Sequence, residues 1–220
     1  LLKDENYDHT IISKIKESDH ILVSIPPIKG SDIVIKLFSK FINNSKAKWI
    51  TYLSATSVYG NHDGSWVNEN SKMKPSSKIG IERLKAEKSW LSLKKKYNLP
   101  VQVFRLSGIY SNKNNILVRL NLGTAKLVNK QNHYFSRIHV EDIGNILFKS
   151  LNKFKSGEVY NLSDDKPTSS QEVILYGAKL LNIENIEMIE VKDIENKKLK
   201  NFYRDSKKVN NKKMKEFFNY

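Results

Sequence analysis

The sequence from Trp49 to Asn70 reads WITYLSATSVYGNHDGSWVNEN and joins an apolar run to a polar loop. Small hydroxyl side chains follow the run Trp49–Leu53, and a loop of Asn, Asp, Gly and Ser comes next. A short continuous apolar run bounded by turn residues is typical of a strand covered on both faces. The stretch therefore predicts a buried strand that delivers polar side chains to a site at its carboxyl end.

Apolar runs and helical patterns alternate along the rest of the chain. Strands are predicted at Ile21–Ile25, at Val101–Leu106, and within the segments RIHVED and EVYNLSDD. Helices are predicted at Ser31–Phe41, Ser76–Tyr97, from about Ile116, at Asp142–Leu151 and at Ser170–Leu181. This alternation indicates βαβ units on a parallel sheet.

Two of these helices carry more specific expectations. Ser31 or Asp32 is available as the N-cap of the first helix. In the helix Ser76–Tyr97, we expect an inward-facing set at helical spacing: Ile79, Leu84, Trp90, Leu91 and Leu93.

Composition limits the class of protein. A chain of 220 residues is long enough for one well-packed core with a small appendage. Because it has no cysteine, disulfides, thiolate catalysis and Cys-type zinc sites are excluded, and a reducing cytoplasmic location is the expectation. No apolar stretch is long enough to cross a membrane, and Leu1–Asp8 lack the pattern of a signal peptide.

The basic excess predicts a solvated surface. The chain has 38 basic and 23 acidic residues, for a formal net charge of +15. Such a charge is common in nucleic-acid-binding proteins. Here, however, most of the excess is Lys scattered through Asn-rich stretches along the whole chain. We therefore expect no nucleic-acid partner and no membrane partner.

Several motifs follow one another in an order that is typical of a known family. They are SATSVYG at Ser54–Gly60, PSSKIGIERLKAE at Pro75–Glu87, FRLSGIY at Phe104–Tyr110, RIHVEDIG at Arg137–Gly144 and YNLSDDKP at Tyr160–Pro167. In order and spacing they resemble the extended short-chain dehydrogenases/reductases of the NAD-dependent epimerase/dehydratase group.

The resemblance implies an α/β fold, a Rossmann-like doubly wound parallel sheet with a small C-terminal substrate-binding lobe. It divides the chain into a partial dinucleotide-binding core, 1–111, and the remaining core elements with the lobe, 112–220. The family opens on a Gly-rich turn that holds the cofactor diphosphate, and this sequence has no Gly-x-x-Gly-x-x-Gly after any strand. Its first strand resembles the family's fourth, so the expectation is a truncated form or a fragment that lacks the N-terminal strands. The resemblance implies NAD or NADP as cofactor. Because the Gly-rich turn is missing, we expect this chain alone to bind it weakly.

The residues that match the family's catalytic set are unusual. The family uses a Ser or Thr, a Tyr and a Lys, and these positions hold Ala55, Ile79 and Arg83. An arginine side chain can bind a ribose hydroxyl or a phosphate, but it stays protonated and does not relay protons at physiological pH. The resemblance therefore implies an atypical member, in which Arg83 is a candidate for contact with cofactor and reacting groups.

Three neighbouring residues are candidates for contact with the substrate. Thr56 and Ser57 match the positions that hold the acid and base in the group's sugar-nucleotide dehydratases, so their hydroxyls are candidate catalytic groups. The alternative is that they satisfy backbone groups at the end of the strand. Tyr59 is a candidate substrate donor, with the alternative that it packs and closes the turn.

The resemblance also implies a set of cofactor contacts. Ser24, Pro26 and Pro27 match the segment that lies along the adenosine half of the cofactor, although the prolines also serve to terminate a strand. Ser107 and Gly108 match the point where the backbone turns toward nicotinamide and substrate.

A further basic residue, Arg137, is a candidate for binding an anionic substrate. Nearby, His139 and Asp142 are more typical of structural roles, and the charge of Asp142 favours the N-terminus of a helix. No cluster of His, Asp and Glu has the spacing of a metal site, so no metal is expected.

Two functions remain open at this point. The first is an NAD(P)-dependent epimerase, dehydratase or reductase that acts on a nucleotide sugar or a similar small molecule. The second is a non-catalytic dinucleotide-binding or interaction protein on the same fold. In extended members of the family, the helices that match Ser31–Phe41 and Ser76–Tyr97 pair across a two-fold axis, which implies a homodimer.

Overall fold

The computed structural model describes residues 7–8, 10–28 and 30–220, without the side chains of residues 197 and 198. Its helices are α1 (Thr10–Glu17), α2 (Ile33–Asn43), α3 (Lys78–Tyr97), α4 (Ile116–Asn121), α5 (Val140–Asn152), α6 (Ser170–Leu180), α7 (Lys197–Arg204) and α8 (Lys212–Phe218). Its strands are β1 (His20–Val23), β2 (Trp49–Ala55), β3 (Trp66–Val67), β4 (Val101–Leu106), β5 (Gly108–Tyr110), β6 (Leu127–Asn129), β7 (Tyr134–Phe135), β8 (Arg137–His139), β9 (Val159–Leu162), β10 (Thr168–Ser169), β11 (Met188–Glu190) and β12 (Lys208–Val209). Most of Leu1–Asp8, where no targeting segment was expected, lies outside the described residues.

A four-stranded parallel sheet in the order β1-β2-β4-β9 forms the centre of the fold. Helices cover both of its faces, and the alternation along β4 shows how. Val101 and Val103 belong to a core cluster with residues of α2 and α3, whereas Phe104 and Leu106 belong to a cluster with residues of α5 and α8. Side chains alternate between the faces of a strand, so a strand that is apolar at most positions must be buried on both. The predicted α/β class with a parallel sheet is confirmed.

The predicted elements occur close to their predicted positions. The strand Val101–Leu106 has the same bounds in the structure, and the helices begin or end within about two residues of prediction, as expected for helix ends that fray. Asp32 is the N-cap of α2, because its carboxylate accepts hydrogen bonds from the backbone N–H groups of Val34 and Ile35. Helices α1, α7 and α8 were not predicted, and of the short strands outside the central sheet only β8, within RIHVED, was predicted.

One core expectation was wrong. Trp90 and Leu93 are buried in α3, but Ile79 is 57% exposed. The first turn of α3 packs beside a 3-10 helix at Thr56–Tyr59 rather than over the sheet, because Gly80 lies against the backbone of Ser57. The side chain of Ile79 therefore lines a cavity instead of the core.

The second half of the chain both completes the sheet and forms a smaller lobe. It supplies β9 to the central sheet, while two-stranded pairs join β5 to β8, β6 to β11, β7 to β10 and β3 to β12. The lobe has its own apolar clusters, built around Leu120, Leu127 and Ile174 and around Val128 and Tyr203. The division of the chain at residue 111 stays a prediction. None of the described helices combines the length and the apolar character that a bilayer crossing requires.

Candidate functional site

Two adjoining cavities lie beyond the carboxyl ends of β2 and β4. The smaller has a volume of about 330 Å³ and the larger about 490 Å³. Gly108, Phe135 and Phe202 line both, so the cavities meet along one shared wall. In open parallel sheets this edge is where ligands bind, because the loops that follow the strands converge there.

The smaller cavity contains the hydroxyl residues of the opening stretch. Thr56 and Ser57 line it together with Ser77 and Ile79 from the start of α3. A close backbone approach brings these two segments together: a Cβ atom at Gly80 would lie 2.7 Å from the carbonyl oxygen of Ser57. Only glycine permits this approach without displacement of the helix.

Several hydroxyl groups near this edge lack partners among the described residues, including those of Ser54, Ser57 and Ser107. Within the described part of the chain, the buried Oγ atoms of Ser57 and Ser107 make no hydrogen bond. A buried polar group without a partner is uncommon in folded proteins and is costly. Ser57 therefore does not satisfy a neighbouring backbone group, which was the alternative to a role in binding. Ser107 lies directly before Gly108 at the same edge, but it is buried and lines neither cavity.

The C-terminal segment supplies residues of the smaller cavity that were not predicted from the sequence. Asn201, Phe202, Asp205 and Lys207 all line it. Burial lowers the pKa of the Lys207 amine, and the negative charge of Asp205 opposes this effect. The sequence carries no local signal for this role, since Lys207 lies in a run of lysines that reads as a solvated surface.

The larger cavity is lined by basic and aromatic side chains. Arg137 extends from β8 and lies over the ring of Phe135, with Cζ 3.6 Å from the ring centroid, and its Nη1 donates a 2.6 Å hydrogen bond to Thr168. Burial lowers the pKa of Arg137 to about 10, and the carboxylate of Asp164 opposes this. Arg119 and Lys126 also line the cavity. The arrangement suits an anionic and planar ligand.

Of the other candidates, Tyr59 and Arg83 have structural partners. Tyr59 is fully buried, and its hydroxyl accepts a 2.8 Å hydrogen bond from Arg105 and donates one of 2.7 Å to Asn161. These contacts favour the packing role over substrate binding. Arg83 lines neither cavity, and its Nη1 donates a 2.6 Å hydrogen bond to the carbonyl oxygen of Leu53.

Three cofactor candidates lie apart from the two cavities. Ser24, Pro26 and Pro27 follow β1, at the same edge of the sheet, but line neither cavity.

His139 is the N-cap of α5, and Asp142 lies in the first turn of that helix, so both have the structural positions that were expected. Among the described residues, no group of three or more His, Asp or Glu side chains is placed to hold a metal ion.

A solved structure of a functionally unknown conserved protein from Silicibacter pomeroyi DSS is 35% identical to this chain. The match has a TM-score of 0.85 and covers 91% of this chain and 71% of that one. The chain belongs to the family of that protein. No protein-family model matches the chain, and no curated protein matches it by sequence.

More distant structures establish the fold. dTDP-glucose 4,6-dehydratase from Bacillus anthracis str. Ames, in complex with NAD, matches with a TM-score of 0.75 and 21% identity over 96% of this chain and 69% of that one. UDP-glucuronic acid 4-epimerase from Bacillus cereus, also in complex with NAD, matches with a TM-score of 0.78 and 15% identity over 98% of this chain and 72% of that one. The likeness to these two structures confirms the predicted Rossmann-like fold.

Proposed function

We propose that this protein is an NAD(P)-dependent epimerase- or dehydratase-like protein that binds a nucleotide sugar or a similar small molecule. The observation that carries the proposal is the pair of adjoining cavities, one basic and aromatic and the other lined with hydroxyl groups, which share Gly108 at the carboxyl edge of a parallel sheet. A ligand with an anionic end and a polyhydroxyl end matches both cavities at once.

In this proposal, the larger cavity holds the nucleotide diphosphate. Arginine presents a planar set of donors that suits phosphate oxygens. Arg137 is fixed by its contacts with Phe135 and Thr168, so its guanidinium is already oriented before a ligand binds. Arg119 and Lys126 add positive charge along the same wall.

The sugar end then lies in the smaller cavity, against Thr56, Ser57 and Ser77. Ser57 is the first candidate for orienting a substrate oxygen, since its buried hydroxyl makes no hydrogen bond within the described residues. NAD or NADP, when bound, would supply a hydride acceptor. Ser107 and Gly108 are the residues of this chain that we assign to its nicotinamide side, because they follow β4 at the edge of the sheet where the cavities lie.

Calorimetry with UDP and UDP-glucose tests this assignment. We expect both to bind the 220-residue chain, and we expect Arg137→Met to weaken both by roughly 10-fold or more, since a hydrogen bond to a charged group contributes about 1.5–3 kcal/mol. Arg204→Met is the matched control, because Arg204 is exposed and lines neither cavity. Absence of binding, or equal loss in both variants, would overturn the proposal.

The alternative is a non-catalytic dinucleotide-binding or interaction protein on the same fold. Ala55, Ile79 and Arg83, at the positions of the usual catalytic set, favour it. A turnover assay across a panel of nucleotide sugars with NAD and NADP separates the two. Ligand binding without turnover of any member of the panel would support the alternative.

We also propose a homodimer that pairs α2 and α3 across a two-fold axis. Ile81 and Tyr97 of α3 are 41% and 43% exposed, which leaves apolar surface on this helix for a second copy. Sedimentation should give a dimer at micromolar concentration, and Ile81→Glu should shift the protein to a monomer. A monomeric wild-type protein would refute this assembly.

A further inference from the structure

Lys207 lines the smaller cavity from the C-terminal segment, which is remote in sequence from the hydroxyl residues Thr56, Ser57 and Ser77 of that cavity. It shares this cavity with Thr56, Ser57 and Ile79. The Lys207 side chain is half-buried, and within the described part of the chain its Nζ makes no hydrogen bond or ion pair. The cavity is thus lined by hydroxyl residues, by Asn201 and Asp205, by an alkyl side chain where the related catalytic set has a phenol, and by one lysine whose amine makes no hydrogen bond within the described residues.

The backbone that carries Lys207 is firmly held. The carbonyl oxygen of the preceding residue, Ser206, accepts hydrogen bonds from the N–H groups of His62 and Gly64, at 3.0 and 3.1 Å. The Ser206 N–H donates to the side chain of Asn61 at 2.8 Å, and its hydroxyl donates to the carbonyl oxygen of Asn132 at 3.0 Å. The loop NHDG, directly after the Val-Tyr-Gly sequence, therefore fixes the position from which Lys207 extends.

The surroundings of Lys207 favour the neutral amine more than water does. Burial lowers the pKa of Lys207, and Asp205 is the acidic group that opposes this. The carboxylate of Asp205 also accepts a 3.0 Å hydrogen bond from the hydroxyl of Ser76. The Nε2 atom of His133 is within hydrogen-bonding distance of the backbone carbonyl oxygens of Phe202 and Asp205. Burial lowers the pKa of His133, and the positive charges of Lys130 and Lys207 lower it further.

We propose that Lys207 contacts the sugar end of the bound molecule and exchanges a proton with one of its hydroxyl groups. The inference rests on the proposed function and names the residue that stands in for the usual Tyr and Lys. In this step the amine, once in its neutral form, takes the proton with its lone pair. The O–H bond breaks, its electron pair stays on oxygen, and a new N–H bond forms. The ammonium group can return the same proton, so the exchange balances without any other reactant.

The test follows the Lys207 amine directly. Lysines of the whole 220-residue chain are labelled by reductive ¹³C-methylation, and the Lys207 resonance is assigned by its loss in Lys207→Arg. In the free protein, we expect this resonance to titrate at lower pH than those of the surface lysines. Addition of UDP-glucose should shift it, whereas UDP, which lacks the sugar, should leave it unchanged. Lys208 is the internal control, because it lies outside both cavities, with Nζ over the ring of Tyr134.

Binding measurements with variants complete the test. We expect Lys207→Met to weaken UDP-glucose roughly 3- to 10-fold with little change for UDP, as for a lost hydrogen bond, and Lys208→Met to change neither. Lys207→Arg keeps the charge but cannot deprotonate, so it should retain binding and lose turnover in the nucleotide-sugar panel.

The outcomes separate this inference from the function on which it rests. If neither UDP nor UDP-glucose binds, the proposed function fails, and this inference fails with it. Suppose that both bind, but the Lys207 resonance titrates like that of a surface lysine, or UDP shifts it as UDP-glucose does. In either case only the role of Lys207 is overturned. The titration itself uses wild-type protein, and Lys207→Arg is needed only to assign the resonance; the unchanged resonances of the other lysines show that this variant is folded.

Discussion

Arg105 of β4 and Glu87 of α3 form a buried ion pair whose side chains are 3% and 1% exposed. The Nε of Arg105 donates to both carboxylate oxygens of Glu87, and its Nη1 donates to the hydroxyl of Tyr59. Tyr59 in turn donates to Asn161 of β9. This network joins two strands of the central sheet to α3 and to the 3-10 helix that carries the hydroxyl residues of the smaller cavity.

Removal of one partner of this pair should destabilise the fold strongly. Glu87→Leu leaves the guanidinium of Arg105 buried without a counter-charge, and we expect a loss of about 3–5 kcal/mol in the free energy of unfolding. The double variant Glu87→Leu with Arg105→Met should recover much of this loss, because it removes the uncompensated charge. Urea unfolding measures both.

The exposed pair Lys212–Glu216 serves as the control. Glu216→Leu should change stability by less than about 1 kcal/mol. If Glu87→Leu lowers the free energy of unfolding by no more than Glu216→Leu does, the buried pair does not stabilise the network that joins the sheet to α3 and the 3-10 helix.

Two glycines in helices should respond oppositely to alanine. A Cβ atom at Gly80 would lie 2.7 Å from the Ser57 carbonyl oxygen and 2.9 Å from Cβ of Pro75, whereas nothing lies within 4 Å of one at Gly144. Alanine is favoured over glycine in a helix by about 1 kcal/mol. Thermal unfolding should therefore show that Gly144→Ala stabilises the protein and that Gly80→Ala destabilises it. Stabilisation by both would mean that the approach of α3 to the 3-10 helix is not tight.

Stability should decrease as the pH falls below the ordinary pKa of histidine. Burial lowers the pKa of His133 below 6.5, so between its folded and unfolded pKa values the unfolded chain binds more protons. The stability contributed by neutral His133 is present above about pH 6.5 and is lost as the pH falls through the folded value.

Urea unfolding at a series of pH values between about 7.5 and 5 gives the slope of the free energy of unfolding against pH. His133→Phe should flatten it, although the loss of hydrogen bonds to the backbone lowers stability at every pH. His20→Gln is the control, since His20 is exposed on β1. An unchanged slope in His133→Phe would exclude His133 as its source.

A side chain at Gly108 should separate the two cavities without harming the fold. An added Cβ atom would meet the Ser136 carbonyl oxygen at 3.4 Å and the ring of Phe135 at 4.0 Å, which are tolerable distances. Gly108→Ala should therefore leave stability within about 0.5 kcal/mol. It should weaken UDP-glucose more than UDP in calorimetry, because only the former extends across the shared wall. Equal effects on both would show that the ligand does not bridge the cavities.

The hydroxyl residues of the smaller cavity should matter for the sugar end of the ligand. Ser57→Ala and Thr56→Val should weaken UDP-glucose roughly 3- to 10-fold, as for a lost hydrogen bond, and abolish any turnover. Ile79→Tyr with Arg83→Lys should raise turnover, since a general acid contributes about 10²–10⁴-fold. Ser92→Ala, on the exposed face of α3, is a control that should have no effect. If the hydroxyl substitutions alter neither binding nor turnover, these residues have no functional role.

Local patterns in the sequence determined the elements and their class. Buried strands such as Val101–Leu106 read as continuous apolar runs, and α2 and α3 read as helices, because hydrogen bonding within a helix and burial of a strand depend on near neighbours. The order of the motifs indicated the Rossmann-like fold, which the structure confirms. Of the residues that the sequence singled out, Thr56, Ser57, Gly108 and Arg137 line the cavities.

Only the tertiary structure decided which distant residues share that edge. Lys207 and Phe202 reach the smaller cavity from the C-terminal segment, and nothing in their own neighbourhood distinguishes them from surface residues. Tyr59 is withdrawn from the cavity because Arg105 and Asn161 satisfy its hydroxyl, and Ile79 faces the cavity because Gly80 draws α3 against Ser57. Residue spacing records the contacts of a segment with itself, whereas long-range packing determines which polar groups remain free for a ligand.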